Sequence, residues 1–162
     1  MKKLILAIFI FLGHILSFGQ LATINQMVKL YENDDLASRD TYLEARGFIV
    51  MAPGDVYETK ALGAQWKNKP ADQFVYIKTN DVNDDFVEVT TATRSYYDNF
   101  VTNAKSNGFV STKSFINKYG ELVFVYNKGD YYLIFTKFTD KPTTKTAYSI
   151  KLSKTLQEDY GN

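Results

Sequence analysis

Catalysis needs particular side chains, and this sequence withholds most of the usual ones. Its one histidine, His14, lies in an apolar amino-terminal run, and there is no cysteine. Past that run, a Ser-His-Asp triad, a Cys-His nucleophile and the His and Cys ligands of common zinc sites are therefore excluded. Acid–base work by histidine is excluded with them. No P-loop or dinucleotide-binding glycine pattern is present. Carboxylates, lysines, serines and tyrosines remain. A glycosidase needs two carboxylates flanking a cleft. Glu88 and Glu121, in or beside predicted strands, are the candidate pair; the competing reading is two solvated side chains. Asp81, Asn83 and Asp85 alternate as the first ligands of an EF-hand loop do. Phe86 then stands where that loop requires Gly, and Ala92 where it requires Glu. A solvated hairpin turn is expected there, and the sequence implies no metal and no cofactor.

The amino terminus reads as an export signal. Lys2 and Lys3 precede an apolar run from Leu4 to Leu16, and Ser17 and Gly19 supply small residues before a cut at Gln20. The run is short for a bilayer span, which needs about 20 apolar residues. The expectation is a signal peptide at 1–19, a single α+β domain at 20–162 in the periplasm or secreted, and no membrane span after cleavage. Nineteen Lys and Arg oppose eighteen Asp and Glu, so loss of Lys2 and Lys3 leaves a net charge near −1. No block of like charge stands out, which argues against nucleic acid and anionic membrane as partners. Without disulfides the fold rests on its core, and 12 Phe, 12 Tyr and one Trp make that core or its surface aromatic.

Periodicity supplies the elements that must position these groups. Leu21, Ile24, Met27, Val28 and Tyr31 share a helical face, predicting a helix at about 21–31. Asn33, Asp34 and Asp35 break it and offer N-caps for a second helix at about 36–46, ended by Gly47. There Phe48 is placed to fold back on Leu43. A third helix carries Tyr97, Phe100, Val101 and Ala104, capped by Ser95 or Thr93 and ended by Gly108. Strands are expected at about 48–51, 56–67, 74–79, 86–91, 121–127, 131–138 and 146–152. Pro53-Gly54, residues 80–85, Asn127 to Asp130, and the loop around Pro142 are the expected turns. The tail from Leu156 is polar.

Alternation puts Phe74 and Tyr76 on one strand face and Val75 and Ile77 on the other. Leu122, Phe124 and Tyr126 oppose Val123 and Val125 in the same way, so both faces of that strand are apolar and something must cover both. An aromatic patch from Phe74, Tyr76, Phe124, Tyr126 and Tyr132, rimmed by Lys78, Lys137 and Lys151, is the candidate ligand-binding surface. The alternative is that these rings are ordinary core.

Two segments share an order. One runs helix, Arg46-Gly47-Phe48, a spacer, Phe74 to Lys78, a turn, Phe86 to Val89. The other runs helix, Asn107-Gly108-Phe109, a spacer, Leu122 to Tyr126, a turn, Tyr132 to Phe135. Half-repeats at 21–93 and 94–155 would account for this. At the level of element order, the layout resembles the tandem domains of β-lactamase-inhibitor-protein-like folds. The resemblance implies helices on one side of a continuous antiparallel sheet and a binding surface on the other. Unlike the disulfide-bonded inhibitors of that type, this chain has no cysteine. The expected fold class is α+β, with two or three helices on an antiparallel sheet of five to seven strands. The expected function is a non-enzymatic binding module for a protein or small apolar ligand. The alternatives are a carboxylate-dependent hydrolase of envelope polysaccharide, and a structural or assembly factor of the cell envelope.

Overall fold

Three stretches become helices as each buries residues against the sheet, and the first two also begin on a side-chain cap. The structure, a computed structural model, describes residues 20–51, 63–78, 85–140 and 144–156. The expected leader at 1–19, the Pro53-Gly54 turn, the start of the expected 56–67 strand, Asp81, Asn83, Pro142 and the tail beyond 156 lie outside the described residues. In α1, Ile24–Tyr31, the Thr23 hydroxyl accepts from the Gln26 N–H, and the Gln26 side chain accepts from the Thr23 N–H at 3.0 Å. That reciprocal box satisfies two backbone donors that a helix start otherwise leaves open. Ile24, Met27 and Leu30 face inward. In α2, Leu36–Glu44, the Asp35 carboxylate accepts the Ser38 N–H at 3.0 Å. Leu43 and Arg39 are its buried residues, the Arg39 Nε donating to the Leu30 carbonyl. Burial pushes the Arg39 guanidinium pKa down, and Asp34, Asp85 and Asp35 counter the shift. In α3, Arg94–Ser106, Thr93 takes the cap position and Phe100 and Ala104 are buried.

Helices α2 and α3 stop in the same way. Gly47 and Gly108 take φ +75° and +83°. The amide of the following Phe48 reaches back to the Leu43 carbonyl at 3.1 Å, and that of Phe109 to Ala104 at 3.0 Å. A left-handed residue followed by this long return bond is the C-cap that glycine adopts without steric penalty. Phe48 and Leu43 then share one core, as expected.

The strands are β1 Ile49–Val50, β2 Gly63–Asn68, β3 Gln73–Lys78, β4 Phe86–Thr91, β5 Val110–Ile116, β6 Leu122–Lys128, β7 Tyr131–Asp140 and β8 Lys145–Ser153. They form one antiparallel sheet in the order β1-β2-β3-β4-β8-β7-β6-β5. The first four strands and the last four meet where β4 pairs β8, from Phe86 opposite Ser153 to Thr91 opposite Tyr148. The architecture is α+β, with three helices among the described residues and a predominance of sheet. Eight strands correct the expected five to seven, and the additional one is β5. Its sequence, Val-Ser-Thr-Lys-Ser-Phe-Ile, lacks alternation because it is an edge strand with nearly every residue exposed. No burial pattern is imposed on such a strand, so none is written into it.

Helices α1 and α3 lie over β4 and β8, and α2 sits beside β1. The main core lies between them and the sheet: Trp66, Val75, Ile77, Val87, Val89, Leu133, Phe135, Ile150 and Leu152 meet the buried helical residues. Fully burying a side chain such as Phe135 contributes about 1.5–3 kcal/mol. Polar ties fix the layers. The Gln73 amide both accepts from the Leu21 N–H and donates to the Leu21 carbonyl, at 2.9 and 2.8 Å. The Trp66 indole donates to Asp40 at 2.9 Å, and Asn103 accepts the Ile24 N–H at 2.8 Å.

Candidate functional site

Residues directly opposite in an antiparallel sheet share a face, so register sorts the aromatic residues. One row runs Trp66, Val75, Val89, Ile150, Phe135, Phe124, all on the helix side. The next row on that side contains Leu133 and Tyr126. Phe124 and Tyr126 are therefore turned to the helices. Tyr126 is only 7% exposed, with its ring 5.4 Å from that of Phe135. Tyr97 of α3 adds an edge contact to Phe135 and a tilted contact to Tyr148. Burial first, then its charged and phenolic neighbours, pushes the Tyr97 hydroxyl up to about 12.

Phe74, Tyr76 and Tyr132 lie on the opposite face, which is helix-free among the described residues. The five candidate residues thus divide between two faces: Phe124 and Tyr126 are neighbours on β6 on the helix side, and Phe74 and Tyr76 are neighbours on β3 on the other. Lys78 and Lys151 are on the helix-free face with them. Lys137, opposite Leu122 and Tyr148, belongs to the helix side.

The helix-free face itself changes character along the sheet. Over β6 and β7 it is aliphatic and closed: Val123, Val125 and Ile134 are at most 1% exposed, under Phe115, Tyr132 and Leu156. Over β3 and β4 it is aromatic and half-buried. The Tyr76 ring meets Phe86 edge-on at 5.3 Å, the Lys67 ammonium lies 4.8 Å from the Phe74 ring, and the Lys151 ammonium 4.0 Å from that of Phe86. Glu88 stands between Tyr76 and Lys151 in the register and accepts a hydrogen bond from the Ser149 hydroxyl. The Tyr76 hydroxyl is buried with no hydrogen-bond partner. A buried polar group left so costs about 1–3 kcal/mol.

Lys67 and Ser149 are the residues of this surface that sequence reasoning passed over. Ser149, Lys151 and Ser153 alternate along β8, and that spacing was the available signal.

The two candidate carboxylates are not brought together. Glu88 is on β4, and its row crosses the sheet to Val125 on β6, three strands away, while Glu121 lies four residues further along; at about 4.8 Å per strand and about 3.3 Å per residue the two backbones are about 20 Å apart. Paired glycosidase carboxylates stand about 5–9.5 Å apart. Glu121 instead accepts from the Asn117 side-chain amide at 2.8 Å, in the wall of a cleft of about 570 Å³ that also includes Tyr119, Lys137 and Phe138. A second cleft, of about 510 Å³, lies between α1 and α2, with Lys29 and Arg46 both against the Tyr42 ring. Among the described residues no three His, Cys, Asp or Glu are grouped to hold a metal, and no helix is long and apolar enough to cross a membrane.

In comparison with known proteins, the chain matches no family model, no curated sequence and no solved structure.

Proposed function

We propose that this protein is an exported, non-enzymatic binding module that holds a protein or apolar ligand on the helix-free face of β3 and β4. Phe74 and Tyr76 supply the contact surface, backed by the buried Phe86 and the Lys151 against it, with Lys67 and Lys78 at its margins. The Phe74 and Tyr76 rings, left half-buried side by side on the face away from the helices, carry the reading. Apolar area left open in this way marks a surface for a partner or ligand. Export rests on the basic and apolar amino terminus, and it places the module in the periplasm or outside the cell. The halves 21–93 and 94–155 are taken as degenerate tandem repeats. Both run from a helix ended at Gly-Phe into four strands, and both finish in the strand that meets its counterpart at the sheet centre.

The test uses residues 20–162 and Nile red, an uncharged apolar probe with a ring carbonyl. The expected result is saturable fluorescence that Phe74→Ala abolishes and Tyr76→Ala weakens by about tenfold, the loss of one half-buried ring from the contact. Absence of saturable binding, or equal binding by Phe74→Ala, overturns the reading.

A further inference from the structure

Strand β5 is an edge of the sheet among the described residues, and its geometry defines what it can accept. The Asn117 N–H donates to the Glu121 carbonyl at 3.0 Å, which makes 117–121 a bonded pair. Bonded and unbonded pairs alternate along an antiparallel ladder. With Phe115 opposite Val123 and Lys113 opposite Val125, those pairs bond inward, and 114–124 and 116–122 do not. The backbone N–H and C=O groups of Ser114 and Ile116 therefore point to the outer edge. A bulge between Ser111 and Lys113 spoils the first half of that edge for pairing. The regular remainder ends in Ile116, 71% exposed, beside the exposed Leu122 and Tyr119.

We propose that β5 is an addition site for an extended acidic segment of a partner protein, which pairs through Ser114 and Ile116 as a ninth strand. Main-chain bonds give such additions affinity, and alternate side chains give them specificity. Charge selects the occupant. From Val110 to Gly120 the chain carries Lys113 and Lys118 and no Asp or Glu. A second copy pairing symmetrically about Ser114 brings the two Lys113 side chains to diagonal positions on one face, about 7–8 Å apart, and like charges there disfavour it. A strand with Glu at alternate positions meets the same lysines with opposite sign.

The experiment titrates residues 20–162, at low salt, with the capped peptide Thr-Glu-Val-Glu-Val-Glu-Thr and with its lysine counterpart. Amide NMR shifts locate the site. The glutamate peptide is expected to bind and to shift residues 113–117, with the lysine peptide at least about tenfold weaker. Ser114→Pro removes an outward donor without touching the β5–β6 ladder, a place where sheets tolerate proline. It should weaken binding by about tenfold or more, with an unchanged melting temperature. Lys113→Glu should reverse the preference between the peptides, and it decides the matter if the proline variant fails to fold. Equal binding of both peptides, binding unaffected by both substitutions, shifts elsewhere, or self-association without peptide binding overturns the proposal.

Discussion

The helix-free face is built two ways on one sheet. Over β6 and β7 it is a small aliphatic core, Val123, Val125 and Ile134, sealed by Phe115, Tyr132 and Leu156. Over β3 and β4 it is a half-buried set of rings with ammonium groups laid against them. The first arrangement serves stability, because dense aliphatic contact is worth most where water is excluded. The second leaves apolar area and a polar atom unused. The difference separates the part of the face that holds the fold from the part available to a ligand.

Substitutions sharpen that division. Ile134→Ala should cost about 2–4 kcal/mol, since it opens a cavity in a sealed cluster. Phe74→Ala should cost less, about 1–2 kcal/mol, because its ring is already partly in water. Urea unfolding of both variants checks the order, and equal losses would erase the distinction between the two regions. A smaller effect compares the two halves at their helix ends. Gly108→Ala and Gly47→Ala should each cost about 1 kcal/mol. At Gly108 no atom lies within 4 Å of an added Cβ, so the left-handed backbone alone sets the cost. At Gly47 the Asn68 amide lies 3.5 Å away, an ordinary contact. Unequal losses would mean that the two caps are not equivalent. A last effect is one of pH. Tyr97 stays protonated in the fold up to about 12, whereas unfolded tyrosine ionises near 10. The unfolded state therefore releases its proton first, and stability falls as pH rises between about 10 and 12. Tyr97→Phe should reduce that fall in melting temperature over this range, with a remainder from Tyr131, which burial and the Glu32 carboxylate likewise push up to about 12.

Much of the fold was legible because burial wrote it into the chain. Leu21, Ile24, Met27, Val28 and Tyr31 gave α1, Gly47 and Gly108 marked two helix ends, and alternation from Phe74 to Ile77 gave β3. The candidate surface was legible only in part. In β6 both faces are apolar, so alternation separated Phe124 and Tyr126 from Val123 and Val125 without saying which pair meets the helices. Position in the sheet decides it. Helices α1 and α3 sit over β4 and β8, and the space above β6 is filled by large rings, Tyr126 and Phe135 among them. The other side is closed closely by the chain itself, and aliphatic side chains fit there. In β3 the assignment is reversed: small aliphatics face the helices and rings face away. Strand β5 was missed because an edge strand exposed at every residue but Phe115 is under little pressure to alternate.

The β4–β8 seam has a consequence in time. Val87 finds its partner in Leu152, and Val89 in Ile150. A chain made from its amino terminus completes β4 while the segment that will cover its open side is still some sixty residues away. Until then the first four strands end in an unpaired, apolar margin. Contacts this distant in sequence slow folding, and an uncovered strand meanwhile invites the wrong neighbour. The order of synthesis therefore makes the middle of the finished sheet the last part to close.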